Sequence, residues 1–351
     1  MNRIPSVILL ILISIYLTAC NSPDEPAVAE IATAVPATQT SVPTMTAQPT
    51  KTATPIPPPA TPSPEPSVTN TPEPGTTPTE TAVPTNTPEP TAVPPTGEIN
   101  GLLRPDFIVV PENVINKMRD TFTQGQTLGR NPNNFSKLGD SVIANGDFLT
   151  RFDTPGQYTL GPDYEQFQRV IDHYAGSYER FGVGMKVGLR AWGVFNPTWA
   201  DSNWCEPNEV MIDCEFRLNN PSIVLIHLGT NDTGETFEEY LRLTVETSLQ
   251  NGVIPVLLTK ADRFEGEDNR NNIAIRQIAA DFEVPLLDYD ILAETLPDRG
   301  LLEDGVHLNG PNMHDYTQDI VFEKGHTVHN LAVLMMLETL LDQIVIPQTT
   351  S

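Results

Sequence analysis

Residues 223–228 form a near-continuous apolar run, bounded by Pro221 on one side and by Gly229-Thr230-Asn231-Asp232 on the other. A run so short and so apolar suits a strand buried on both faces. Around it the chain alternates between two periods. Residues 134–138 are predicted as a short strand. Residues 164–173 are predicted as a helix, with Phe167, Val170 and Ile171 at helical spacing. A Gly- and Val-rich strand is expected over 181–187, a helix over 236–250 and a strand over 253–259. A helix over 269–282, a last strand over 284–287 and a helix over 329–344 follow. In that last helix Leu334, Leu337, Leu341 and Ile344 share one face. Strand–helix alternation with short connections predicts an α/β fold: a three-layer α/β/α sandwich around a parallel sheet of about five strands. Ligands of such sheets bind beyond the carboxyl ends of the strands. Gly139-Asp140-Ser141, after the first strand, and Gly229–Asp232, after the third, therefore fall on the same rim.

Composition limits the folded part to residues 98–351. The stretch 21–97 holds 20 of the 34 prolines and no aromatic residue. Such a segment cannot bury enough apolar surface to offset its ordering entropy. It is expected to be a solvated, partly polyproline-II tether. Ahead of it, Arg3 and an apolar stretch over 4–16 lead into Leu17-Thr18-Ala19-Cys20. That ending resembles the lipobox of bacterial lipoproteins. The resemblance implies a signal peptide over 1–20, lipidation of Cys20 and anchorage to the outer face of the bacterial cell membrane. The alternative is an ordinary export signal with a chance cysteine.

Cys205 and Cys214 are the other two cysteines. In an exported chain, two cysteines nine apart in a loop favour a disulfide. No histidine lies between them, and no histidine–carboxylate cluster has metal-ligand spacing, so no metal and no cofactor are expected. The net charge of −25 falls almost wholly on the domain, because residues 1–97 carry seven acids and two bases. So acidic a surface argues against nucleic acid and anionic lipid as partners. It carries no information on oligomeric state.

Three islands hold the chemistry. Ser141, alone, is better explained as a helix N-cap than as a nucleophile. Its position also lets its own N–H face the rim. Asn231 sits where turn formers are favoured anyway, yet its amide is suited to a developing oxyanion. Asp232 is expected to hold the loop. Asp304-Gly305-Val306-His307 would be a surface turn in isolation. With the other two islands it supplies a base for the serine hydroxyl and a carboxylate to orient that base. His227 lies in an apolar strand and is expected to be packed.

Gly139-Asp140-Ser141, Gly229-Thr230-Asn231-Asp232 and Asp304-Gly305-Val306-His307 closely resemble three of the four sequence blocks of the SGNH (GDSL-type) hydrolases, in order and spacing. The resemblance spans residues 130–345. It implies a flavodoxin-like sheet, Ser141 as nucleophile, His307 as general base and Asp304 as its partner. The oxyanion would be bound by the Ser141 amide, by Asn231 and by a glycine amide of the second block, either Gly188 or, five residues on, Gly193. The resemblance includes lipases, short-chain esterases and polysaccharide deacetylases. An exported serine esterase acting through an acyl-enzyme is the leading expectation, with O-acetyl groups on glycans as one substrate class. A lipid acylhydrolase and a non-catalytic surface-binding protein are the alternatives. Trp192, Trp199 and Trp204 are candidates for stacking on sugar rings. The polar stretch 309–325 is expected to form a lid or wall over the site.

Overall fold

The computed structural model describes residues 97–346, and at their centre lies a five-stranded sheet. The expected signal peptide, Cys20 and the Pro/Thr-rich stretch up to residue 96 lie outside the described residues. A short hairpin, β1 (Glu98–Ile99) and β2 (Leu102–Leu103), leads through α1 (Arg104–Phe107) into β3 (Ile108–Val109). Helix α2 (Glu112–Thr127), strand β4 (Asn131–Gly139), helix α3 (Gln168–His173) and helix α4 (Met211–Asn219) come next. Then β5 (Pro221–His227), α5 (Phe237–Gln250), β6 (Ile254–Leu258), α6 (Arg270–Phe282) and β7 (Leu286–Leu287) alternate. Helices α7 (Tyr289–Ala293) and α8 (Gly325–Leu340) close the order.

The strand order is β3-β7-β6-β5-β4. Strands β4 to β7 are parallel, whereas β3 pairs antiparallel with β7. The sheet is therefore mixed and not wholly parallel as the alternation predicts. An antiparallel strand can occupy an edge without a crossover helix, which is how the chain reaches that edge so early. On one face α3 packs on α8, and α2 packs on the turn Leu341–Val345 that follows α8; on the other α5 packs on α6, and α4 reaches α5 through the 3₁₀ turn Ala191–Phe195. The result is the three-layer α/β/α arrangement.

The strand expected over 181–187 does not form. Only Met185 makes a bridge, parallel to Gly139 at the end of β4. The cause is a competing acceptor. Glu215, buried on α4, takes the N–H groups of Val183 and Gly184 at 2.7 and 2.9 Å, the second of which a strand would give to β4. Gly182, at φ +63°, turns the backbone left-handed just before them. With the Met185 segment counted beside β4, the parallel order is nonetheless the flavodoxin-like 2-1-3-4-5.

One further expectation changes. Helix α8 is buried around its whole circumference and not on one face. With its following turn, Gly325–Val345 is apolar and long enough to cross a membrane, yet it is mostly buried and forms the central helix of the core. The stretch 309–325 is anchored in the core at His314, Tyr316 and Val321, which are buried, and Tyr316 Oη donates to the Thr327 carbonyl at 3.2 Å, while 317–320 are exposed. Cys205 and Cys214 are joined as a disulfide. Cys214 lies on α4, so the bond ties a loop to a helix and does not close a free loop. Closing so short a segment contributes about 2–3 kcal/mol.

Candidate active site

Gly139 ends β4 beside His227 of β5, and no larger residue fits there. A Cβ at Gly139 would meet the His227 carbonyl oxygen at 2.3 Å and the Ile143 side chain at 2.7 Å. The chain then makes one turn and starts no helix, so Ser141 is not a helix N-cap. Asp140 forms that turn almost alone. Its carbonyl accepts from Ile143 and Ala144 N–H at 3.2 and 2.8 Å. Its Oδ1 accepts from Val142 N–H at 3.0 Å. The N–H of Ser141, alone among these successive amides, has no protein partner among the described residues. Asn145 then takes the N–H groups of Asp147 and Phe148, continuing the loop without a regular helix.

The third island folds as a self-contained loop. Asp304 Oδ1 accepts from the N–H groups of Val306 and His307, both at 2.9 Å. Gly305 sits at φ +68°, a conformation that disfavours other residues. Leu302 N–H donates to the His307 carbonyl at 2.7 Å and closes the base of the loop. These bonds point Oδ2 of Asp304 at His307 Nδ1, 2.7 Å away. His307 Nε2 lies 3.0 Å from Ser141 Oγ. The three bonds of the loop hold the Asp304 carboxyl down to about 2, chiefly through the His307 ring and then the His307 and Val306 amides. An ionised Asp304 accepts only, so Nδ1 carries the ring proton and Nε2 is left to accept from the serine.

Asn231 stands on the same rim. One N–H of its amide donates to the Leu189 carbonyl at 3.2 Å, which leaves the other uncommitted. The Gly188 N–H likewise has no protein partner among the described residues, and Gly188 sits at φ +75°. Gly193 differs. Its N–H donates to the Arg190 carbonyl at 2.8 Å, and a Cβ there would be 3.2 Å from the Trp199 ring. Of the two glycines, only Gly188 has a free donor. Asp232 holds this loop as expected, both carboxylate oxygens accepting from Ala191 N–H at 3.1 and 3.2 Å. Asn231→Ala is expected to lower kcat for an ester by about 10²–10³-fold with little change in KM, read by steady-state kinetics. A loss confined to KM would show that the amide serves ground-state binding alone.

Behind the rim lies a buried polar layer that local sequence gave no sign of. Asn271, at the start of α6, donates to the carbonyls of Gly229 and Asp232, each at 2.8 Å, and clamps the second island. Lys260, fully buried, donates to Asp262 Oδ1 at 2.9 Å and to Glu265. Asp262 Oδ2 accepts from Thr230 Oγ1 at 3.0 Å. Burial raises the Asp140 carboxyl to about 7 and the Asp232 carboxyl to about 6. Burial lowers His227, whose Nδ1 lies 3.8 Å from Asp140 Oδ1. His227 is packed, as its strand context predicts, and stays neutral. The only sequence sign of Asn271 is the pair Asn271-Asn272 opening a helix, which is also common capping chemistry.

No family model matches the chain, and no curated protein matches it. Among solved structures, the chain is similar to an acetylxylan esterase, Axe2, from Geobacillus stearothermophilus. The match to that structure has 15% identity and a TM-score of 0.35, covering 58% of this chain and 93% of that one. A catalytic mutant of the same esterase gives 14% identity and a TM-score of 0.36 over the same shares of the two chains.

Proposed function

We propose that this chain is a serine ester hydrolase of SGNH type, working through an acyl-enzyme. One observation carries the reading: Ser141 Oγ, His307 Nε2, His307 Nδ1 and Asp304 Oδ2 form an unbroken line of hydrogen bonds at 3.0 and 2.7 Å. In the proposed cycle His307 Nε2 takes the Ser141 proton as Oγ attacks the ester carbonyl. Asp304 stabilises the imidazolium that forms, without itself taking the proton. The carbonyl oxygen gains negative charge and is met by the N–H groups of Ser141 and Gly188 and by the Asn231 amide. His307 returns its proton to the departing alcohol oxygen, leaving an acyl group on Ser141. Water, deprotonated by the same histidine, releases the acid and restores the serine.

We place the enzyme outside the cell, held through a lipid on Cys20 and a Pro/Thr-rich tether, with O-acetyl groups on glycans as its substrate class. The sequence supports this through its export signal and tether. The full chain is expected to hydrolyse p-nitrophenyl acetate faster than long-chain p-nitrophenyl esters and to be labelled once, at Ser141, by a fluorophosphonate. Labelling at another residue, or preference for long acyl chains, would count against the reading.

A further inference from the structure

A second depression lies beside the strap that covers the end of β4, with a volume of about 880 Å³. The irregular strap 180–186 lines one side of it and the loop 199–204 the other. Two large apolar side chains on it are left in solvent, Trp204 at 65% exposure and Phe181 at 55%. Exposed aromatics grouped in a groove mark a contact surface more often than they mark poor packing.

The Trp204 indole is held out by a rigid loop. Trp204 and Cys205 N–H both donate to the Asp201 carbonyl, at 3.0 and 2.8 Å. Arg217 donates to the Trp204 carbonyl at 3.1 Å, and the disulfide fixes the next residue. Lys186 crosses the groove: its Nζ donates to the Trp199 carbonyl at 2.9 Å and lies 5.6 Å from the centre of the Trp199 ring. The groove is therefore preformed. Its strap also runs on, along the chain, to the candidate active site. Lys186 N–H donates to the Gly139 carbonyl at 3.0 Å, two residues before Ser141, and Gly188 follows two residues after Lys186.

We propose that this groove binds several pyranose rings of a neutral glycan chain, with Trp204 and Phe181 stacking on ring faces, and so brings an O-acyl group of that chain to Ser141. The second half of this statement rests on the hydrolase reading; the first does not. A pyranose ring has apolar C–H faces and a hydroxyl edge, which matches this groove's mixture of surfaces. Its exposed rings offer the faces, while Asp201 Oδ2 and Ser202 Oγ, which have no protein partner among the described residues, offer the edge. An acyl chain would need an apolar sleeve closed on all sides. An anionic polymer would meet a chain of net charge −25.

The test uses calorimetry on the full chain carrying Ser141→Ala, titrated with unacylated xylohexaose and cellohexaose. Binding of at least one hexamer is expected, weakened about tenfold or more by Trp204→Ala and by Phe181→Ala, and retained by Phe181→Tyr. With Ser141 present, the two alanine variants are expected to raise KM for an acetylated glycan by a similar factor. They should leave kcat/KM for p-nitrophenyl acetate unchanged. Binding of neither hexamer, equal binding by all variants, or a dimer that Trp204→Ala dissociates in sedimentation would each overturn the proposal. Hexamer binding without p-nitrophenyl acetate hydrolysis would keep the groove and remove the hydrolase. Hydrolysis without hexamer binding would do the reverse.

Discussion

Replacing Ser141 with alanine is expected to lower kcat for p-nitrophenyl acetate by about 10⁴–10⁶-fold, with KM little changed. The hydroxyl 3.0 Å from His307 Nε2 is the one nucleophile that the line of hydrogen bonds serves. Alanine keeps the residue's backbone N–H, so one oxyanion donor survives and a residual rate above water is expected. The fold should survive as well. The turn is built by Asp140, whose carbonyl and carboxylate hold the amides of Val142, Ile143 and Ala144. An unshifted thermal midpoint would therefore accompany the lost rate. Substantial turnover by the folded alanine protein would remove Ser141 from the mechanism.

Asp304→Asn is expected to lower kcat by about 10³–10⁴-fold, the second largest loss. The asparagine oxygen can still accept from Val306 and His307 N–H, the two bonds that shape the loop. Its NH₂ then replaces Oδ2 against His307 Nδ1. A donor there forces the ring proton onto Nε2, which can no longer accept from Ser141. Structure is kept while the tautomer is inverted. Asp304→Ala loses the Nδ1–H partner and also the two bonds that shape the loop, so only the asparagine variant isolates the tautomer. An asparagine variant as active as the parent would show that Asp304 does not set the tautomer.

The same bonds fix the sign of the acid dependence. With Asp304 lowered to about 2, its contribution to stability is complete above the ordinary carboxylate value of about 3.9. It is lost only as pH falls from there towards 2. Solvent at this half-exposed site keeps the contribution small. No step in activity should arise from Asp304 in the usual range of carboxylate titration, about pH 3–5.

How much of the site was legible depended on how far each residue's partners lie along the chain. The loop 304–307 makes its own geometry, since Asp304 bonds to amides two and three residues away. Four letters of sequence therefore suffice to align a carboxylate with an imidazole. Gly139-Asp140-Ser141 is similarly local. The choice between Gly188 and Gly193 was not legible, because both follow the same apolar segment. It turned on a 3₁₀ turn that uses the Gly193 amide and leaves that of Gly188 free. The clamp from Asn271 and the bond from Thr230 to Asp262 were hidden for the same reason: their partners sit on other elements.

The sequence by itself determined the alternation of strands and helices, the order of the three islands, and which serine, histidine and aspartate stand in them. Hydrophobic period and short-range hydrogen bonding encode such features within a few residues. Tertiary structure alone decided that β3 runs antiparallel and that 181–187 becomes an irregular strap with an aromatic groove beside it. Those outcomes depend on competition between distant partners. Glu215, more than thirty residues along the chain, captures the Gly184 amide that β4 would otherwise have paired, together with that of Val183.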